Sequence, residues 1–465
     1  VLLIKKICNR IDSLSRVYMR FLLIILLVVS SFGHVQAQTL QEVLASAYEN
    51  NPELKAAREG LKAADEKIMQ SLSRWLPSIG LYKTRTNAQN NSTNRSGIYD
   101  GLKLQQNLFR GGSDIAAFKA AQAGIENERA KLIEAEQKIL LAVVDSYMKA
   151  LQREEEYEFL KTRVEDSKKL VEFAQKRFEA GVATRTDVAS AIASMAAADA
   201  NLITVGSDFE VLKAQLFDIS GIHVTKFSEP EFNLELPKTL DHISEIAIKD
   251  SPLLMQARTA KDFSAHEVDR VRGQNLLPSI SLEYQISDKR QDSKESAVGF
   301  ETSGDINRVA SLTLSIPVFD GGESWSKYRQ AKRTSQGAVY SLANVKNKVV
   351  TSATQAWRNH ESSRQVLVAQ KEALSSAALA YEGMQKEEKA GLRAINDVIT
   401  ARKNYFDAYR GLLDAKTGYI KSGYEIAAQI GRCTAEGLKL DVKLYDPLKN
   451  YNIIKMQLIG AYNPK

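Results

Sequence analysis

The sequence predicts a mainly α-helical chain that also gives four strands to a membrane β-barrel. Three observations predict it: a plan stated twice, long proline-free helical stretches, and paired alternating segments behind a leader. Leu102-Lys103-Leu104, Phe109 and Gly111-Gly112 recur about 210 residues later as Leu312-Thr313-Leu314, Phe319 and Gly321-Gly322, and internal repeats are sought before other features. The same offset carries Ala180-Gly181…Asp187-Val188 onto Ala390-Gly391…Asp397-Val398, and Gly221 onto Gly431. Upstream, Asn51-Pro52 and Leu76-Pro77-Ser78-Ile79 answer Ser251-Pro252 and Leu277-Pro278-Ser279-Ile280. The first repeat spans 38–221 and the second 241–431, with a linker at 222–240 and a tail at 432–465.

A basic run (Lys5, Lys6, Arg10, Arg16, Arg20) leads into the apolar stretch Phe21 to Val29 and then Val35-Gln36-Ala37, the small-x-small form of a signal-peptidase site. Residues 1–37 are therefore expected to be a leader, with the mature chain starting at Gln38. Met19-Arg20 would make a more ordinary start, which makes 1–18 an expected over-read. The leader carries five Lys or Arg and one acid, Asp12, so the formal charge of +7 falls to about +3 without it. Along the helical stretches Lys and Arg alternate with Glu and Asp, as on solvated faces, so no nucleic-acid partner is expected.

Beyond the leader no apolar run of transmembrane-helix length is expected, so membrane residence would require a β-barrel. Strands are expected at 78–86, 98–109, 279–288 and 308–319. Ile98, Leu102, Leu104 and Leu108 alternate with Tyr99, Lys103, Gln105 and Asn107, and Leu312, Leu314, Ile316 and Val318 alternate with Thr313 and Ser315. The second strand of each pair is expected to close on an interfacial girdle residue, Phe109 or Phe319. The polar segments Asn87 to Gly97 and Asp288 to Asn307 suit outer loops. Strands of a soluble sheet would alternate too; the leader tips the reading towards a membrane. Four strands cannot close a barrel with a lumen, so several chains must contribute.

Residues 112–180 and 322–389 contain no proline and are rich in Ala, Glu, Lys, Leu and Gln. One helix of this length would reach about 100 Å. Return helices are expected at 186–220 and 396–430, packed antiparallel on the first pair, since a long helix without an apolar mate is unstable. Gly181 and Gly391 suit the left-handed residue that ends a helix, and Thr186-Asp187 and Asn396-Asp397 are expected to begin the next.

No catalytic site, cofactor site or metal site is expected. His223, His242, His266 and His360 lack ligand spacing, and no phosphate loop or nucleophile motif appears. Only Cys433 lies beyond the leader, so no disulfide within the mature chain is expected.

Taken in order, the duplication, the Leu-Pro-Ser-Ile strand entries, the Phe-x-Gly-Gly exits and the Ala-Gly-x-x-x-x-x-Asp-Val turns resemble the TolC family of outer-membrane export ducts. The resemblance implies a homotrimer in the outer membrane of a Gram-negative bacterium, extending into the periplasm. Each protomer would give four strands to one barrel and its helices to one tunnel. It implies an exit duct for type I protein secretion or small-molecule efflux, served by a periplasmic adaptor protein and an inner-membrane ABC or proton-driven pump. The turns at Gly181-Val182 and Gly391-Leu392 would meet the adaptor, and Thr186, Asp187, Arg393 and Asp397 would link neighbouring coils at a periplasmic gate. Where the family has a gate tyrosine and a second lumen aspartate, this chain has Glu388 and Thr400. The tail from Ala435 to Pro447 also resembles that of members serving type I secretion. A periplasmic coiled-coil scaffold or adhesin without a pore is the alternative.

Overall fold

The computed structural model describes residues 38–90, 93–230, 234–293, 305–455, 457 and 460; the expected leader, its cleavage site and the end of the tail lie outside the described residues. In the first repeat, α1 (Leu40–Asn50) and α2 (Pro52–Leu72) precede β1 (Ser78–Asn90), β2 (Thr93–Arg110), α3 (Ser113–Glu179) and α4 (Arg185–Ser220). The second runs α5 (Leu240–Asp250), α6 (Pro252–Leu276), β3 (Ser279–Ser293), β4 (Asp305–Ser315), α7 (Glu323–Lys389) and α8 (Ile395–Gln429), and a short α9 (Lys449–Ile454) follows in the tail. Both long helices have 67 residues.

The chain forms two compact units. One takes in the described parts of Val1–Ser46, Val143–Phe232 and Ala377–Leu413; the other comprises Ala47–Ala142, Asn233–Ser376 and Asp414–Lys465.

The second unit holds an antiparallel sheet in the order β1-β2-β3-β4. Its register lines up apolar residues on one face across all four strands: Leu81, Leu102 and Ile286 share one level, and Leu104 and Tyr284 pair with Ile79 and Ala310 at another. The band continues through Leu282 with Leu312 and Ile280 with Leu314. Nothing among the described residues covers its edges; Leu81 is 84% and Leu312 68% exposed. The opposite face is polar, with Lys103 and Glu283 paired at 3.0 Å.

Three strand expectations need correction. The first hairpin is strand almost to its tip, so most of 87–97 is ladder rather than loop. Apolar alternation stops where burial in lipid would stop, whereas backbone pairing continues as long as the polar side chains tolerate it. Leu108 does not continue the alternation of β2: it sits in a bulge between Asn107 and Phe109, and the extra residue changes the facing of those after it. β4 ends at Ser315, so Phe319 does not close it. Pro317 has no N–H to extend the ladder.

The helical part of this unit is built on α3, α6 and α7. Gly111 adopts φ 59°, and a Cβ placed on it would lie 2.4 Å from the Gly273 carbonyl; only glycine at both positions lets the β2–α3 turn lie on α6. Farther along, Asn127 Nδ2 donates to the Gln256 carbonyl and to Thr259 Oγ1, both at 2.9 Å. Ile243, Leu254, Val349, Ala353, Ile426 and Ile430 form one cluster. The tail is strapped down by Tyr48 Oη, which accepts from Tyr445 N, and by Asn450, which donates to the buried carboxylate of Asp65 at 2.8 Å.

His360 on α7 is buried against α8. Ser422 donates its proton to the Tyr419 carbonyl, so its Oγ accepts from His360 Nδ1 at 2.9 Å, and the Tyr419 ring stacks on the imidazole. Burial holds this histidine below its usual range, against a smaller upward pull from Glu361. A depressed histidine binds more protons unfolded than folded, so its contribution is complete above about pH 6.5 and is lost as pH falls below it. Amide protection factors, corrected for the intrinsic pH dependence of exchange, are expected to fall around residues 356–364 and 419–426 on acidification from about pH 7 to about pH 5.5, and His360→Asn to remove that fall.

In the first unit, Tyr147 is fully buried and its Oη bonds the Gln38 and Ser228 carbonyls at 2.7 and 2.9 Å. Gln38 and Phe227 make a parallel bridge. Deeper in this unit, Phe159 stacks on Tyr409 and Phe406, and buried Arg402 donates to Ser167 Oγ at 3.0 Å.

One helix among the described residues, Arg185–Ser220, is long and apolar enough to cross a membrane by length and composition. This departs from the expectation that none would be. Its apolarity is alanine, and small side chains suit close helix approach as well as lipid.

Candidate functional site

The two tips of the long helices are built alike. α3 ends with Gly181 at φ 75°, its N–H donating to the Phe178 carbonyl and that of Val182 to the Arg177 carbonyl. α7 repeats the pattern with Gly391 at φ 77°, bonded to Glu388, and Leu392 bonded to Glu387. Both are Schellman caps, in which the left-handed residue falls to glycine. The apolar residue after each glycine points into solvent: Val182 is 63% and Leu392 74% exposed.

The return helices begin one residue earlier than Thr186 and Asn396 suggested, at Arg185 and Ile395, and their caps lie at Thr184 and Ala394. Thr184 is the N-cap of α4 and makes a capping box with Asp187, whose carboxylate accepts from Thr184 N at 2.9 Å and from its hydroxyl at 2.8 Å. The Thr184 backbone N–H, then its hydroxyl, hold Asp187 below the usual carboxylate range. In the second copy Ala394 offers no hydroxyl, so the cap is half made, by Asp397 accepting from Ala394 N at 3.3 Å. Thr186 and Asn396 lie inside the first turns. Thr400 is spent on its own helix, donating to the Asn396 carbonyl.

Within the protomer Arg393 does not meet Asp187. Its Nε donates to Glu387 at 2.9 Å, in solvent. The bond that joins the two copies here is one the sequence reading missed: Arg177 Nη1 on the last turn of α3 to Glu388 Oε1 on the last turn of α7, at 2.5 Å. Glu388 is only 5% exposed. Val171, Ala174, Ala191 and Ile395 form a small apolar core in the same unit, packed with Val188 and Ile399. The missed signal was present in the repeat: a shift of 210 sets Arg177 against Glu387, beside Glu388.

What this duplicated plan belongs to is settled by comparison with known proteins. A family model described as outer membrane efflux protein matches residues 43–221 and 243–432, one segment per repeat. The chain belongs to the outer membrane efflux protein family. A relative in the family, outer membrane efflux protein BepC of Brucella suis biovar 1 (strain 1330), is 26% identical over 430 residues, 92% of this chain and 93% of that one. The alkaline protease secretion protein AprF of Pseudomonas aeruginosa is 24% identical over 69% of this chain and 66% of its own. The fold matches that of the Campylobacter jejuni CmeC outer membrane channel, with a TM-score of 0.75 at 17% identity, covering 90% of this chain and 89% of that one.

This efflux-family protein is an outer-membrane channel protein reaching into the periplasm. A poreless scaffold or adhesin gives way to that reading.

Proposed function

We propose that three copies close one barrel and one tunnel, and that the tips of α3 and α7 dock a periplasmic adaptor whose inner-membrane pump supplies the energy. One observation carries the assembly: equivalent helix halves are buried in one repeat and bare in the other. α3 has buried residues at nearly every turn from Ser113 to Gln137, while no residue of 323–348 in α7 is buried. The difference reflects the neighbours each one has. α3 begins against α6 of the following repeat, and α7 has no such neighbour among the described residues. Gly111 is packed on Gly273, but a Cβ on Gly321 or Gly322 would meet nothing within 4 Å. A second copy supplies the missing repeat, its β1 pairing with β4 so that no strand edge is left open in lipid. The number three comes from the TolC resemblance.

The exposed apolar tips carry the adaptor contact. Val182 and Leu392 end turns that are already capped, so a partner gains their burial without reordering the backbone. The gate is proposed at the same level, with Thr186, Asp187, Arg393 and Asp397 bonding between coils of the assembly and Arg177–Glu388 bonding within each protomer. Opening then requires the adaptor to break these links.

The assembly is tested by mass and heat-modifiability of the detergent-extracted protein together with single-channel conductance; a monomer without conductance overturns it. Val182→Asp is expected to lower adaptor capture and export by about tenfold, the cost of burying one carboxylate at a small interface, without changing the trimer. Export at the wild-type rate would remove this turn from the docking surface.

A further inference from the structure

Gln38, the residue expected to open the mature chain, is part of the packing of the first unit. Its N–H donates to the Lys226 carbonyl at 3.0 Å, and its own carbonyl accepts from Tyr147 Oη at 2.7 Å and from Ser228 Oγ at 3.3 Å. Tyr147 and Phe227, the residue bridged to Gln38, are buried and meet edge to face at 5.1 Å. The side-chain oxygen of Gln38, Oε1, is buried too and has no hydrogen-bond partner among the described residues. Two carboxylates of this neighbourhood are already engaged: Glu42 accepts from Thr39 N at 3.1 Å, and Glu154 from Phe227 N at 3.2 Å. A cut after Ala37 changes what this seat must hold. The nitrogen of Gln38 becomes an ammonium with three N–H donors, for which the Lys226 carbonyl is the one acceptor among the described residues. A charge beside buried aromatic rings without its own counter-ion is costly, and so is a buried amide oxygen that no donor reaches.

We propose that Gln38 is the first residue of the mature protein and is cyclised there to pyroglutamate. An α-amino group titrates at about 8, so part of it is free base at neutral pH, and this nitrogen attacks the side-chain Cδ. A C–N bond forms, the bond from Cδ to Nε2 breaks, and one amine proton leaves with Nε2 as ammonia. No oxidant or other reactant is consumed. In the lactam, Cδ takes the place on the nitrogen that the Ala37 carbonyl carbon held. The nitrogen therefore stays planar and uncharged and keeps the one N–H that Lys226 accepts. Ring closure also draws Oε1 away from the position where it has no partner. The bonds from Tyr147 and Ser228 are kept, because they use the carbonyl of the residue rather than its nitrogen.

The test is mass spectrometry of the N-terminal peptide of the whole protein extracted from the outer membrane. Free amines are blocked on the intact protein before digestion, so that ring closure during handling is not counted. The expected peptide starts at residue 38, is lighter than the glutamine form by one ammonia, carries no blocking group and is opened by pyroglutamyl aminopeptidase. A blocked amine on Gln38 overturns the proposal, and a peptide that starts elsewhere overturns the cleavage and the cyclisation together. Gln38→Met, about as long and unable to cyclise, reads the seat itself. The Ser228 amide donates to Tyr147 Oη at 3.1 Å, and its protection from exchange is expected to fall about tenfold in the variant, with Ile426 of the second unit unchanged. Equal protection would show that the seat holds an ammonium as well as a lactam, and overturns the physical case for ring closure. If the variant is not exported, the wild-type peptide decides alone.

Discussion

Gly111→Ala is expected to prevent the protomer from folding, whereas Gly321→Ala, at the equivalent position 210 residues on, is expected to spare the protomer and weaken assembly. Both glycines have positive φ, 59° and 72°, which costs an alanine roughly 1–2 kcal/mol at either site. The sites differ in what surrounds them. A methyl on Gly111 would lie 2.4 Å from the Gly273 carbonyl oxygen and 2.5 Å from Leu277 Cβ, while one on Gly321 would meet nothing in the protomer. Backbone cannot move aside cheaply, so the first substitution adds overpacking to the φ strain and costs about 3 kcal/mol or more. If the next copy's α2 lies on the α7 turn as α6 lies on the α3 turn, Gly321→Ala meets a similar obstacle only when copies join. Circular dichroism of the extracted protein and the yield of heat-modifiable trimer separate the two effects. A Gly321→Ala protein that forms trimers as well as wild type would show that the seam between copies does not repeat the seam within the chain.

Duplication is also why so much of the fold was legible. Two copies at one offset reinforce each other: the glycine turns, the proline-free stretches and the Leu-Pro-Ser-Ile entries each appear twice, and local propensity agrees with them. What escaped the sequence depended on single residues acting through the backbone. Pro317 stops β4 short of Phe319, and the bulge at Leu108 breaks an alternation that the letters alone continue. At the helix tips, charge type was legible and pairing was not. Arg393 and Asp187 are complementary on paper, but each finds a closer partner, Glu387 for one and the Thr184 cap for the other. A local bond forms at little entropic cost and outcompetes a distant one. Arg177–Glu388 is distant in sequence but adjacent through the repeat, and only overlaying the two copies would have found it.

That pair gives the second large prediction. Glu388→Gln is expected to raise the resting conductance of the reconstituted channel and the permeability of cells to large polar compounds, more strongly than Arg393→Ser. Glu388 is buried and Arg177 about three-quarters so; removing one charge leaves the other poorly solvated. Partial exposure of the arginine reduces the cost from the several kcal/mol of a fully buried pair to about 2 kcal/mol, or roughly a 30-fold shift per protomer if opening separates the two helices. Arg393 and Glu387 are both about half exposed, so water replaces their bond readily and its loss moves the gate little. The exchange Arg177→Glu/Glu388→Arg restores the attraction with the polarity reversed and is expected to return conductance to near the wild-type level. A high-conductance exchange variant would mean that the residues matter for packing rather than for their charge, and an unchanged Glu388→Gln channel would place the latch elsewhere, on the links between copies at Asp187 and Asp397.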